Sequence, residues 1–480
     1  MRVLPLLLLT ACAAAAAEPP PQEAPPPLPP WSPPQSASAP VHTPLKQTLL
    51  IKNAKIYTLA GRTIEKGYLV VKDDRIAEVG EGDKALAGAT VIDAAGRVLT
   101  PGIIDTHSHL GVYAEPNVEA HQDGNEMSDP TTPDVWAEHA FWPQDPGLRR
   151  ALAGGVTTIQ VLPGSANLIG GRSFVAKLRP ETSARAMRVA NAPQGLKIAC
   201  GENPKRVYGS EKKRTPMTRM GNVLGYRKEF QRALEYRRRW QKYERDLAAW
   251  QKRQTPDARP KKGAKADDPP DPPDRNFALE TLALVLDGKI LVHNHCYRAD
   301  EMAIMLDLAK EFGFHIRSFH HALEAYKLAP RLAEEGVAVS TWADWWGFKI
   351  EAFDGVAENA AIVHAAGARA IIHSDSAGDI RHLNQEAAKA LVAGRRAGLT
   401  LSDEDALTWV TKNPAWALGI DRDVGTLEAG KLADLVVWDG SPLSVYTRPT
   451  HVLIEGEVVF DRARARPSDF ELGLTAEVAR

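Results

Sequence analysis

The sequence predicts an α/β fold: a (β/α)8 TIM-like barrel carrying a small composite β-domain formed by both ends of the chain. Three observations predict it. Short apolar runs alternate with helical stretches through the middle of the chain, as βα units do. Eight such runs spread over roughly 300 residues suit the size of one barrel. Both ends of the chain read instead as short β-rich segments with Gly and Asp turns between them. With 480 residues, 25% of them charged and 44% hydrophobic, the chain is neither wholly disordered nor a multi-span membrane protein.

The chain opens Met1-Arg2-Val3, then an apolar run through Leu9, then Thr10-Ala11-Cys12. A charged start, an apolar stretch and small residues describe a secretory signal peptide, residues 1–12. Leu9-Thr10-Ala11-Cys12 also resembles the lipobox of bacterial lipoproteins. That likeness implies a lipid on Cys12 and an exported protein, periplasmic or held at a membrane as a lipoprotein. The alternative is a mis-assigned start codon. No later stretch is long and apolar enough for a bilayer span of about 20 residues, so the expected membrane link is that anchor alone. Twelve of the 35 prolines lie between Pro19 and Pro44, and residues 13–47 are read as a semi-rigid tether without chemistry.

The composite β-domain is expected from residues 48–97 and 424–465. Leu49-Leu50-Ile51 and Gly67-Tyr68-Leu69-Val70-Val71 supply strands at the start; Leu435-Val436-Val437-Trp438, Val452-Leu453-Ile454 and Val458-Val459-Phe460 supply them at the end. The barrel is expected over residues 98–423, with strands at 102–105, 157–161, 196–199, 290–292, 315–317, 337–339 and 370–372. One more strand is placed near Arg188-Val189. In such a barrel, active-site residues gather at the carboxyl ends of the strands.

One interval breaks the alternation. Tyr226, Phe230, Ala233, Tyr236, Trp240, Tyr243, Leu247 and Trp250 recur every three or four residues, the mark of an amphipathic helix. The Pro-, Lys- and Asp-rich segment after it reads as flexible. Residues 210–274 are therefore taken as a basic helical insertion after the strand of Lys197. Residues 205–265 hold 20 Lys/Arg against 6 Asp/Glu, a local balance of +14 that leaves the remainder at −15. A helix packed on the barrel with a solvated basic face is one reading; a contact with a protein partner or an anionic surface is the other. The overall balance of 59 basic and 60 acidic residues gives no sign of a nucleic-acid partner. Cys12, Cys200 and Cys296 are too few for a disulfide framework, so packing is expected to hold the fold together, with no bridge between Cys200 and Cys296.

The chemistry concentrates in Pro101-Gly102-Ile103-Ile104-Asp105-Thr106-His107-Ser108-His109. Residues i and i+2 of a strand face the same way, so His107 and His109 point together into the barrel mouth and make half a metal site. Asp375, just after an apolar strand, would be costly to bury unpaired. A metal and its water would satisfy it; a helix N-cap is the bland alternative. His293 and His295 share a face of the fifth strand. His293 is taken as the ligand and His295, further out, as a substrate contact, although the order could be reversed. His320 and His321 point to opposite faces of the sixth strand, so only one can be a ligand. Lys197, within Gly195-Leu196-Lys197-Ile198-Ala199, would place an ammonium in an apolar wall unless paired or neutral.

These segments resemble the amidohydrolase superfamily, near its imidazolonepropionase-related and metal-dependent dipeptidase-like branch. Gly155-Val156-Thr157-Thr158, Asn413-Pro414-Ala415 and the run from Gly425 to Val436 carry the likeness too, which spans about residues 49–460. The resemblance implies one or two divalent cations, zinc first, with Mn2+, Co2+ or Fe2+ as alternatives. It implies His107, His109, Lys197, His293, His321 and Asp375 as ligands, His321 because His321-Ala322-Leu323-Glu324 is similar to a family pattern. Lys197 would be a carboxylated lysine bridging two ions; the alternatives are pairing with Glu202 beside a single ion, or Glu202 as the bridge.

The implied reaction is hydrolysis of a C–N bond in an amide, cyclic amide or dipeptide by metal-activated hydroxide, with Asp375 as general base. The substrate is a small molecule or dipeptide, and a homo-oligomer remains open. Tyr297 and Arg298 could contact substrate, the arginine receiving a carboxylate unless it pairs with Asp300 or Glu301. Trp342, Trp345 and Trp346 could wall an apolar pocket or belong to the core. Two further readings stay open: a mononuclear-metal deaminase, and a non-catalytic surface lipoprotein binding a partner through the basic helix.

Overall fold

A computed structural model describes residue 43 and residues 45–253 and 268–465. The expected signal peptide with Cys12, nearly all of the tether, and residues 254–267 of the insertion lie outside the described residues. Five strands open the fold: β1 (Thr48–Tyr57), β2 (Thr63–Lys72), β3 (Arg75–Glu81), β4 (Thr90–Asp93) and β5 (Val98–Pro101). The barrel follows with β6 (Ile103–Ser108), β7 (Val156–Val161), β8 (Ile169–Lys177), β9 (Gly195–Ala199), β10 (Leu291–Cys296), β11 (Ile316–His321), β12 (Ala338–Thr341) and β13 (Ala370–Ile372). The chain ends on β14 (Leu435–Trp438), β15 (Pro449–Ile454) and β16 (Glu457–Asp461).

One sheet joins strands from both chain ends in the order β16-β15-β14-β5-β1-β2-β3, with β4 beside β1. Its inner face buries Leu49, Ile51, Leu69, Leu99, Leu435 and Leu453. The second sheet runs from β6 to β13 in chain order and curls into a nearly closed eight-stranded barrel. All six residues of β6 and all six of β7 are buried, as expected of strands covered on both faces. Between β13 and β6 the wall is joined by Asp375 N–H to the His107 carbonyl at 3.0 Å and Ser374 N–H to Asp105 Oδ1 at 3.2 Å.

The third barrel strand departs from the sequence reading. It is β8, not a strand near Arg188-Val189, and it runs antiparallel to both β7 and β9. Arg188 makes only an isolated bridge to Ala176. The strand is hard to see because Arg172 and Lys177 stand in its buried interior. Arg172 bonds Thr281 Oγ1 at 2.9 Å and 2.7 Å and lies over the Trp136 ring. Lys177 pairs with Asp434, which ties the barrel to the end sheet.

Within the insertion, a helix spans Arg219–Arg253, about 52 Å at 1.5 Å per residue. Tyr226, Phe230, Ala233, Tyr236 and Trp240 bury one stripe against the barrel. The Tyr226 hydroxyl donates to the Leu168 and Ala199 carbonyls, and Phe230 stacks on Phe314 at 4.3 Å. Arg227 and Arg237 on the outer side pair with Glu311 and Asp287 of the barrel.

A second correction concerns sulfur. Cys200 and Cys296 form a disulfide, with Cα atoms 5.3 Å apart and a sequence separation of 96. The register of β9 on β10 explains it: Ala199 stands opposite His295, so the residues that follow each meet across the strand ends.

Candidate metal centre

Strand alternation positions the site. Asp105 and His107 lie on β6, with His109 just beyond it; Lys197 lies on β9 and is paired with His293 of β10. One step outward, His295 stands opposite His320 of β11, and Cys296 opposite His321. His373 and Asp375 follow β13. His321, Ala322 and Asp375 adopt positive φ (67°, 42° and 51°), a left-handed backbone that non-glycine residues hold only where the surroundings enforce it. Those turns aim the side chains inward at the barrel mouth.

Two groups of potential ligand atoms result, His107 with His109 and Asp375, and His107 with His321 and His373; in each, the atoms lie within 4.8 Å of one another. Asp375 Oδ1 is 3.2 Å from His109 Nε2 and 3.6 Å from His107 Nε2, and Asp375 Oδ2 is 3.8 Å from His321 Nδ1. Lys197 Nζ is 3.3 Å from His107 Nε2 and 3.3 Å from the Pro163 carbonyl. His109 Nδ1 donates to the Leu162 carbonyl at 2.8 Å, which leaves its Nε2 lone pair turned toward Asp375. Asp105 sits beneath, accepting from His107 N–H, Ser374 N–H and the Ser374 hydroxyl.

Burial sets the charges. It drives His293 and His373 down to about 3 and holds His107, His295, His320 and His321 well below the ordinary imidazole value. All six rings are therefore neutral at pH 7. Burial also lowers Lys197 to about 7 and raises Asp105 to about 7. For Asp375 burial pulls upward, but the hydrogen bond and charge of His109 hold it below the usual carboxylate value. His293 Nε2, both nitrogens of His295, His321 Nδ1 and His373 Nδ1 are buried without a hydrogen-bond partner. Leaving such atoms unsatisfied costs about 1–3 kcal/mol each. A divalent cation, which takes imidazole and carboxylate ligands, fits this donor set.

Of the residues expected from sequence, His107, His109, Lys197 and Asp375 converge directly. His321 joins them, grouped with His107 and His373, while His293 and His295 are buried on the neighbouring strand β10. Tyr297 is buried, with ring centroids 5.0 Å from His295 and 5.1 Å from His321. Arg298 points elsewhere: its guanidinium forks onto Asp300 through two bonds of 2.9 Å. Lys349 meets Glu202 at 3.4 Å. From sequence, His320 is weighed only as the alternative to His321, and Asp105 and His373 are passed over, although Asp105 precedes His107 by the same two-residue step that relates His107 to His109.

Comparison with known proteins agrees with the fold. The chain belongs to the amidohydrolase family, whose profile matches residues 98–459. Members of this family are metal-dependent hydrolytic enzymes acting on small molecules. The chain is 36% identical over 416 residues to Amidohydrolase tasK of Hapsidospora irregularis, covering 83% of this chain but only 39% of that longer protein. It is 35% identical to the crystal structure of an amidohydrolase from Thermotoga maritima MSB8, with a TM-score of 0.74 over 86% of this chain and 100% of that one. It is also 25% identical over 421 residues to the 5-methylthioadenosine/S-adenosylhomocysteine deaminase of Moorella thermoacetica, covering 82% and 85% of the two chains.

Proposed function

We propose that this chain is a metal-dependent hydrolase that cleaves the C–N bond of an amide, cyclic amide or dipeptide. The observation that carries the reading is the convergence of His107, His109 and Asp375 ligand atoms within 4.8 Å, beside buried His295 and His321 nitrogens without a hydrogen-bond partner. His107, His109 and Asp375 would hold one cation, His295 and His321 a second, with Lys197 between them.

Choosing His295 over His293 follows from proton positions. If His107 offers its Nε2 lone pair, its Nδ1 carries the proton and donates to His320 Nδ1, 2.9 Å away. His320 must then donate from Nε2 to His293 Nδ1, also at 2.9 Å. A neutral His293 now carries its proton on Nε2 and has no lone pair left to give. His320 and His293 thus orient His107, and the fifth-strand ligand moves from His293, the sequence expectation, to His295.

When bound, the cations supply Lewis acidity toward a carbonyl oxygen and a water whose pKa falls toward about 7. Asp375, kept as a carboxylate, accepts the proton of the attacking water and passes it to the departing nitrogen. Lys197, lowered to about 7, keeps a large fraction of free amine at neutral pH. That amine can add to carbon dioxide, forming an N–C bond and releasing one proton, to give an anionic carbamate suited to bridging two cations. A substrate carboxylate would reach Arg298 only by displacing Asp300. The Leu9-Thr10-Ala11-Cys12 run supports an exported, lipid-anchored enzyme.

A deaminase is the second reading, favoured by the likeness to the Moorella thermoacetica enzyme. Products separate the two. The metal-loaded full chain is incubated with dipeptides, N-acyl amino acids, cyclic amides and amino-purine nucleosides. The proposal expects release of a carboxylate and an amine, abolished by chelation and by His107→Ala. Ammonia from the nucleosides, with every amide intact, would overturn it in favour of deamination.

A further inference from the structure

We infer that the site takes a substrate carrying a planar aromatic group next to the scissile bond, stacked on a wall made by Trp342, Trp345 and Phe348. This deepens the hydrolase reading and rests on it for the identity of the scissile bond. Trp342 lies against the candidate ligand His321, with ring centroids 4.4 Å apart and planes 25° from parallel. Its indole N–H donates to the Ser374 carbonyl at 3.0 Å, one residue before Asp375, and the side chain is buried. The ring is thereby fixed, and it marks one edge of the reaction centre.

From there the wall runs outward to solvent. Trp345 stacks on Trp342 at 5.4 Å and 24°, and Phe348 meets both Trp342 and Tyr297 edge-on. Trp345 is 36% exposed and Phe348 56% exposed. Large apolar side chains grouped in the open on one short segment mark a binding surface more often than packing. These two follow β12 on the carboxyl side of the strand, where a barrel keeps its substrate contacts, and they continue a stack that begins on His321. A flat ring is the group such faces and edges receive best.

The test uses two N-acylglycines that differ only in the ring, N-benzoylglycine and N-acetylglycine, with the metal-loaded full chain. Binding is followed by calorimetry and hydrolysis by glycine release. The benzoyl compound is expected to lead by about tenfold in affinity and in kcat/KM, the scale of a good aromatic contact. Trp345→Ala and Phe348→Ala should each remove most of that lead, whereas Tyr446→Ala, an exposed aromatic outside the cluster, should keep it. Equal binding of the two compounds, or a lead that survives both wall substitutions, would overturn the inference and leave the hydrolase reading intact. Preferential binding of the benzoyl compound, lost in Trp345→Ala but without hydrolysis of either compound, would uphold the aromatic wall and count against amide cleavage.

Discussion

Lys197 Nζ lies 3.3 Å from His107 Nε2, so an amine and an imidazole from different strands face each other with neither side chain exposed to solvent. The Lys197 nitrogen can donate to the His107 lone pair and to the Pro163 carbonyl; a carbamate on Lys197 would present an anion there instead. The full chain equilibrated with 13C-labelled bicarbonate should then show a carbamate carbon resonance by NMR, absent in Lys197→Ala. The substitution should also lower bound metal from two ions per chain to one or none. A wild-type protein with a single ion and no such resonance would refute the bridge.

The Lys177–Asp434 pair sits at 0% and 4% side-chain exposure. Removing one partner strands the other charge in the interior, a loss of about 3–5 kcal/mol. Asp434→Ala should therefore lower the urea midpoint strongly. Lys177→Met combined with Asp434→Ala should cost less than the single change, because no lone charge remains.

The Cys200–Cys296 bridge closes a long loop through the insertion, and such a crosslink limits the unfolded chain. Its removal in Cys296→Ser should cost about 2–4 kcal/mol in denaturant unfolding. A thiol-labelling count that finds both cysteines free in the native, unreduced protein would contradict the bridge itself.

Metal removal should expose a pH dependence. In the apo protein, His293 and His373 stay neutral down to about pH 3, whereas the unfolded chain protonates its histidines near 6.5. The folded values are depressed, so the stability is present above about 6.5 and is lost as pH falls toward 3, by about 1.4 kcal/mol per pH unit for each ring. Urea midpoints of the chelated protein should drop through that window. The slope should be shallower in His293→Leu; an unchanged slope would contradict the assignment.

Much of this was legible in the sequence because strand alternation is rigid. His107 and His109 had to share a face, and an apolar run ending in His373-Ser374-Asp375 had to deliver a carboxylate to the same rim. The antiparallel β8 was hidden because its Arg172 and Lys177 look like surface residues until Thr281, Gln194 and Asp434 are seen to satisfy them. The hydrogen bonds of His320 to His107 and His293 were also out of reach. Spacing places a histidine on a face, but which ring nitrogen is free depends on neighbours far away in the chain.

The most direct measurement is anomalous diffraction at a metal absorption edge from crystals of the metal-loaded protein. The account predicts a peak within bonding distance of His107 Nε2, His109 Nε2 and Asp375, and a second beside Lys197, His295 and His321. A map with no peak at this rim, in metal-loaded protein that hydrolyses amides, would contradict it.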